Sequence, residues 1–238
     1  MDRLPALDEV IVWYEWVVPE DLARIQKYEG LLSPRECAKI EGLRFEARVE
    51  YVTAHALLRR ALSLYAEIAP EEWNFALQSE GRPYLLNAPM GSGLDFNLSH
   101  TEGLVACAIT RLGPVGVDVE CLKSDRDRKR FASRVLADEE LRWLEALAPE
   151  DRDLGLLDLW TLKEAHFKAL GTGIVWPLSA LQFELDSFEG ARKVSGPSGH
   201  VGDGEWHYTR RLLSPKHRLS AAIPCGNVPR WKVAEFLK

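Results

Sequence analysis

The sequence predicts an α+β fold made of two similar halves. In each half a helical stretch is followed by about three strand-like runs with short turns between them, a pattern typical of antiparallel α+β architecture. The helices of the two halves also share a short sequence, AHALLRRAL in the first and AHFKAL in the second. Hydrophobic residues make up 46% of the 238 residues, which is enough to build a core in both halves. We therefore expect an internal duplication, with helices packed on a small antiparallel sheet in each half.

The boundary between the halves is predicted at RLGPVG, where Gly and Pro separate two strand-like runs. This divides the chain into residues 1–112 and 113–238. In the first half, the helical stretch EYVTAHALLRRALSLYAEI precedes the strand-like runs NFALQ, LDFNLS and LVACAIT. In the second half, the helical stretches DRKRFASRVLADEELRWLEAL and LWTLKEAHFKALG precede the runs LQFELDS, EWHYTRRLL and HRLSAAIP. The order of elements is therefore the same in both halves, with helices first and strands second.

The composition narrows the possible classes of function. No apolar run approaches the ~18 residues needed to span a membrane, so no membrane segment is expected. The net charge of −6 disfavours nucleic-acid binding as the main role. None of the four cysteines forms a C-x-x-C pair, so neither a zinc knuckle nor a redox motif is predicted. Reduced thiols, and a start that lacks the pattern of a signal peptide, favour a cytoplasmic protein.

A pair of carboxylates lies on one face of a predicted strand. In GPVGVDVE, three valines alternate with Gly116, Asp118 and Glu120, so period two places both acidic side chains on the same side. Two adjacent carboxylates repel each other, which leaves two interpretations. The face is exposed to solvent, or it binds a divalent cation such as Mg²⁺, which prefers hard oxygen ligands. Glu164, in the second half, would supply a third carboxylate.

The helix LWTLKEAHFKALGTGI carries Glu164 and Lys168 one turn apart. Its apolar residues occupy both sides, which predicts burial on both sides, and Gly171 is placed to end it. A solvated i,i+4 salt bridge is one interpretation of the pair. However, Trp160 and Phe167 flank the two charges, and a partly desolvated carboxylate needs more than one lysine as a partner. We therefore favour a metal at Glu164 and an anion at Lys168.

Two further stretches carry polar residues at predicted turns. In LDFNLSHTEG, Ser99 and His100 are expected at the tip of a hairpin, and in SEGRPYL a turn presents Arg82. Each is open to a plain interpretation, as a hydrogen-bonded turn and a solvated arginine. A serine hydrolase is disfavoured because no G-x-S-x-G sequence is present. Together with the carboxylates and Lys168, these residues suit phosphoryl transfer, in which positioning and charge neutralisation supply most of the catalysis.

The order of four motifs, GRPYL, FNLSH, GVDVE and WTLKEAHFKALGTGI, resembles that of the 4'-phosphopantetheinyl transferases of the large single-chain, surfactin-synthetase-activating type. The resemblance implies a pseudo-twofold α+β monomer that binds coenzyme A and Mg²⁺ in the cleft between its halves. It assigns Asp118, Glu120 and Glu164 to the metal. It also makes Glu164 the base acting on the acceptor serine and places Lys168 against the pyrophosphate.

The same resemblance implies that Ser99, His100 and Arg82 bind coenzyme A phosphates, with His55 and Lys39 as further phosphate contacts. The chain departs from the common pattern at three positions. Arg82 replaces a lysine and keeps its charge. Thr101 and His55 stand where relatives commonly have serine and arginine, respectively.

The implied reaction transfers 4'-phosphopantetheine from coenzyme A to a serine of an acyl or peptidyl carrier protein and releases 3',5'-ADP. The basic segment Lys123–Arg134 could contact an acidic carrier, although a solvated helix start explains it equally well. Two rivals stay open at this point. One is a metal-dependent nuclease, disfavoured by the acidic net charge, and the other is a coenzyme A or nucleotide-binding protein without turnover.

Overall fold

The computed structural model describes residues 5–122, 128–175, 177–186, 189–196 and 205–237, without the side chains of residues 128 and 129. Its helices and strands, in chain order, are β1 Glu9–Trp16, α1 Leu22–Glu29, α2 Pro34–Ile40, α3 Phe45–Leu62, β2 Phe75–Leu77, β3 Pro83–Leu85, β4 Asp95–Thr101, β5 Leu104–Thr110, β6 Gly116–Cys121, α4 Arg128–Val135, α5 Asp138–Ala146, α6 Arg152–Leu170, β7 Gln182–Leu185, β8 Ala191–Ser195, β9 Trp206–Ser214, β10 His217–Pro224 and β11 Arg230–Glu235. None of the helices described is long and apolar enough to cross a membrane.

The chain folds into two compact units. The first extends to Gly113 and also takes in the stretch from Pro229 onwards, and the second comprises Pro114–Val228. The predicted boundary lies between residues 112 and 113. The predicted second half differs in its last residues, because β11 pairs in parallel with β1 and so joins the first unit.

The first unit is built on a four-stranded sheet of order β11-β1-β5-β4, in which the β1–β5 and β5–β4 pairs are antiparallel. Helix α3 packs across this sheet, and its apolar residues form the core together with β5, every residue of which is buried. The core includes Leu57, Leu62, Trp73, Phe96 and Ile109. Strands β2 and β3 form a separate hairpin.

The second unit is built on an antiparallel sheet of order β6-β10-β9. Helix α6 packs against β6 and β10, and strands β7 and β8 form a second hairpin. The core of this unit includes Leu159, Leu162, Phe167, Leu178 and Tyr208. The predicted α+β class, with helices on a small sheet in each part of the chain, is confirmed.

Helix α6 ends where the sequence predicts. Gly171 has a left-handed φ of 71° and its N–H bonds to the carbonyl of Phe167, which satisfies part of the helix end. The helix begins at Arg152, earlier than the predicted Leu159. Gly155 lowers the helix propensity there, but its missing side chain makes room, because a Cβ would lie 2.7 Å from Leu147.

Candidate active site

Strand β6 and helix α6 approach each other unusually closely at Gly116. A Cβ built on Gly116 would lie 1.9 Å from the carbonyl oxygen of Ala165 and 2.6 Å from the backbone nitrogen of Ala169. Both obstacles are main-chain atoms, so no rotamer change could relieve the clash. Glycine on the strand and alanines on the helix therefore allow the two backbones to touch.

The face of β6 that begins at Gly116 presents the two predicted carboxylates to α6. Oδ1 of Asp118 lies 2.7 Å from Nζ of Lys168, and the Asp118 side chain is only 7% exposed. Oε1 of Glu120 accepts a hydrogen bond of 3.1 Å from the indole Nε1 of Trp160. The period-two prediction for this strand is therefore confirmed, and its carboxylate face is covered by α6 rather than left in open solvent.

The pKa of Glu164 is raised above the usual value of a glutamate. Burial and the negative charge of Asp118 raise the pKa of Glu164 to about 7, with Lys168 opposing the shift and Glu120 adding to it. At neutral pH the group is therefore divided between its acid and its carboxylate form. Because Asp118, Glu120 and Lys168 all act on Glu164, the four predicted residues lie near one another within the second unit.

The three carboxylates suit a Mg²⁺ ion by their chemistry. They are hard oxygen donors, and the repulsion from Asp118 and Glu120, which adds to burial in raising the pKa of Glu164, is what a divalent cation would relieve. Among the side chains that the structure describes, however, no group of three Asp, Glu, His or Cys residues is arranged to hold a metal ion. The metal assignment of Asp118, Glu120 and Glu164 stays a prediction.

Lys163 has a structural role that the sequence analysis missed. Its Nζ is buried among three acceptors, at 2.7 Å from Oε2 of Glu140, 3.1 Å from the Leu178 carbonyl and 2.5 Å from the Leu181 carbonyl. Oε1 of Glu140 in turn accepts from the N–H of Phe183. The lysine next to Glu164 in the motif thus ties α5 and α6 to the start of β7, and no periodicity in the sequence marks it.

We expect Lys163→Met to destabilise the protein by about 3–5 kcal/mol, because it leaves the buried carboxylate of Glu140 without its cation. Denaturant unfolding monitored by circular dichroism would measure the loss. The exposed Lys216→Met is the control and should change the free energy of unfolding by less than about 0.5 kcal/mol. Equal effects of the two substitutions would contradict the structural role of Lys163.

The predicted coenzyme A contacts lie in the first unit. Arg82 follows a turn at Gly81, whose φ is 84°, but its guanidinium is buried and donates to Oδ1 of Asp95 at 2.8 Å. The interpretation of Arg82 as a solvated arginine is therefore wrong. Ser99 and His100 lie within β4 rather than at the hairpin tip, because the strand continues to Thr101 before the turn. Ser99 is buried, and the His100 side chain is 49% exposed, with Nδ1 3.7 Å from Oε2 of Glu50.

His55 and Lys39 converge on the ring of Tyr51. The His55 ring is stacked on it at 4.0 Å, and Nζ of Lys39 lies 4.7 Å from its centroid. Nδ1 of His55 is 2.6 Å from Oε1 of Glu36. Burial raises the pKa of Glu36, but hydrogen bonding and charge from His55 and hydrogen bonds from Ser33 outweigh it and lower the pKa to about 2. The structure thus brings these two predicted residues together on Tyr51, with His55 also bound to Glu36.

A cavity of about 720 Å³ in the first unit includes none of the predicted site residues. Its buried Glu15 is bound by Arg24, Tyr28 and Arg60, so its charged groups neutralise one another. The basic segment Lys123–Arg134 lies partly outside the described residues, since the structure describes neither residues 123–127 nor the side chains of residues 128 and 129.

The carboxylates and Lys168 lie in a segment of the chain that matches a known protein family. Residues 114–223 match the model of the 4'-phosphopantetheinyl transferase superfamily. The chain is also 31% identical over 194 residues to the 4'-phosphopantetheinyl transferase HetI of Nostoc sp., a match that covers 80% of each protein. The chain belongs to the 4'-phosphopantetheinyl transferase superfamily.

Two further comparisons give lower identities. The 4'-phosphopantetheinyl transferase Sfp of Bacillus subtilis is 26% identical to this chain over 144 residues. The match covers 60% of this chain and 61% of Sfp. Among solved structures, a holo-(acyl-carrier-protein) synthase from Bacillus anthracis in complex with CoA (3',5'-ADP) is 18% identical, with a TM-score of 0.41, covering 49% of this chain and 97% of that chain. The resemblance to the large single-chain type is confirmed by HetI and Sfp.

Proposed function

We propose that the protein transfers the 4'-phosphopantetheine group of coenzyme A to a serine of an acyl or peptidyl carrier protein and releases 3',5'-ADP. The proposal is supported chiefly by one observation. The coupled group of Asp118, Glu120, Glu164 and Lys168 lies within the segment that matches the superfamily model. The reaction exchanges the phosphoanhydride bond of coenzyme A for a phosphoester bond to serine, which requires charge neutralisation and positioning rather than a strong nucleophile on the protein.

Glu164 is proposed as the base. In its carboxylate form it accepts the proton of the carrier serine as the serine oxygen attacks the β-phosphorus of coenzyme A. The bond from that phosphorus to the bridging oxygen breaks, and 3',5'-ADP leaves with the electron pair. Without a cation, burial and the charge of Asp118 raise the pKa of Glu164 to about 7, and a bound cation would lower it, so the carboxylate form is available to act as a base near neutral pH.

Lys168 is proposed to bind an oxygen of the pyrophosphate. Its side chain is 28% exposed, and its Nζ binds Asp118. Asp118, Glu120 and Glu164 are the residues that would hold Mg²⁺, and this ion, when bound, supplies positive charge to the pyrophosphate oxygens. We further propose that the protein acts as a monomer in the cytoplasm, where its four free cysteines would stay reduced.

A single assay tests the proposed transfer. The protein is incubated with coenzyme A, Mg²⁺ and an apo carrier protein, and the intact mass of the carrier is measured. We expect a gain of one phosphopantetheine, absent when the acceptor serine of the carrier is replaced by alanine. Binding of coenzyme A without any gain in mass would favour the non-catalytic alternative, and cleavage of added nucleic acid would favour the nuclease.

His100 provides a test of the predicted phosphate contacts. If it binds the 3'-phosphate, His100→Ala should weaken coenzyme A binding about 10-fold, the effect of losing one hydrogen bond to a charged group. Binding of dephospho-coenzyme A should not change. Calorimetry with both ligands measures the difference, and Lys27→Ala, an exposed cation on α1, is the control. Equal losses for both ligands would place the contact on the pyrophosphate, and no loss would contradict the contact.

A further inference from the structure

The carboxylate of Glu120 is held by a tryptophan of the facing helix. The indole Nε1–H of Trp160 donates to Oε1 of Glu120 at 3.1 Å, a link from α6 to β6. The Trp160 ring is itself held by Phe131, whose ring lies edge-on at a centroid distance of 4.9 Å and an interplanar angle of 64°. An aromatic contact thus fixes the ring, and the ring fixes one oxygen of the carboxylate.

The two carboxylates of β6 have partners of different charge. The ammonium of Lys168 at 2.7 Å compensates the charge of Asp118. The indole N–H beside Glu120 is neutral, so it restricts the orientation of the carboxylate without forming an ion pair with it. Such orientation favours a ligand to a cation, because it lowers the entropy lost on binding.

We propose that Trp160 is a positioning residue that orients Glu120 for a divalent cation. This inference rests on the proposed function for the identity of the cation site. Trp160 makes no contact with the reacting atoms in this proposal, and its effect reaches the reaction only through Glu120. Its aromatic body packs in the core of the second unit, and its N–H acts on the carboxylate.

Nuclear magnetic resonance of the indole groups tests the hydrogen bond directly. The chain has eight tryptophans, and comparison of ¹⁵N-labelled wild type with Trp160→Phe identifies the Trp160 signal. We expect Glu120→Ala to shift this signal, because the acceptor is removed. Adding Mg²⁺ alone to the wild type should also shift it. Trp143, on α5 in the same core cluster, is the matched control, and its signal should respond to neither change.

Calorimetry with Mg²⁺ provides the second readout. We expect Trp160→Phe, which keeps an aromatic ring and removes the donor, to weaken Mg²⁺ binding about 10-fold, whereas Trp143→Phe leaves it unchanged. If Trp160→Phe does not fold, the Glu120→Ala and Mg²⁺ shifts of the wild-type indole signal decide alone, with the signal assigned by conventional methods.

If neither Glu120→Ala nor Mg²⁺ shifts the Trp160 indole signal, the proposal is overturned, even if the carrier gains its phosphopantetheine. Conversely, a responsive signal in a protein that leaves the carrier unmodified would uphold the orienting role and refute the transfer reaction. The two proposals therefore fail separately.

Discussion

Glu164→Gln is expected to reduce the rate of phosphopantetheine transfer about 10²–10⁴-fold, the range for loss of a general base. Glutamine keeps the size of the side chain but cannot accept the serine proton. The rate is measured from the mass of the carrier protein under single-turnover conditions. Glu145→Gln, an exposed residue of α5, is the control and should leave the rate within a few-fold of wild type.

The same variant should be no less stable than wild type, which separates loss of chemistry from loss of fold. The pKa of Glu164 is raised from 4.5 to about 7 by burial and by Asp118, so the folded protein binds this proton more tightly than the unfolded chain. The stability that this group contributes is therefore present below pH 4.5 and is lost as pH rises through 7. In EDTA at pH 8, the melting temperature of Glu164→Gln should be higher than that of the wild type. The difference between the two melting temperatures should vanish near pH 4. A variant that transfers at the wild-type rate would remove Glu164 from the mechanism.

Gly116→Ala is expected to damage both fold and activity. The added Cβ would meet the backbone of Ala165 at 1.9 Å, so α6 must move away from β6 by more than an ångström. We expect destabilisation of about 3 kcal/mol, the upper end for an overpacked site. A displacement of this size between Asp118 and Lys168 should also lower the transfer rate about 100-fold.

The control for this substitution is Gly226→Ala in the same unit, where an added Cβ meets nothing within 4 Å. Thermal unfolding and the carrier assay should find it close to wild type. If Gly116→Ala has the same melting temperature as Gly226→Ala and retains activity, the close contact of the two backbones is not required for the geometry of the site.

The sequence could predict the parts of the site that depend on local periodicity. Alternation in GVDVE predicted that Asp118 and Glu120 share one face, because successive side chains of a strand point to opposite faces of the sheet. Gly171 predicted the end of α6 because a left-handed residue is needed there. These properties belong to a few neighbouring residues, so no knowledge of the tertiary structure was required.

Other features depend on partners that are far apart in the chain. Lys163 looks like any helical lysine until Glu140 and the carbonyls of Leu178 and Leu181 surround it. A solvated side chain at a turn was one interpretation of Arg82, but Asp95 on strand β4 binds it in a buried position. Strand β11, RWKVAE, lies in the second half of the sequence, and its pairing with β1 places it in the first unit. Tertiary contacts decide each case.

The pairing of β11 with β1 has a consequence for how the protein is made. Glu9 lies opposite Arg230 and Trp13 opposite Ala234, and the N–H of Phe236 bonds to the carbonyl of Tyr14. During translation, β1 leaves the ribosome long before its parallel partner is synthesised. The first unit must therefore wait, with one flank of β1 open to other chains, while the whole of the second unit emerges and folds. A ribosome that stalls before the codons of β11 would release a product in which β1 lacks its parallel partner.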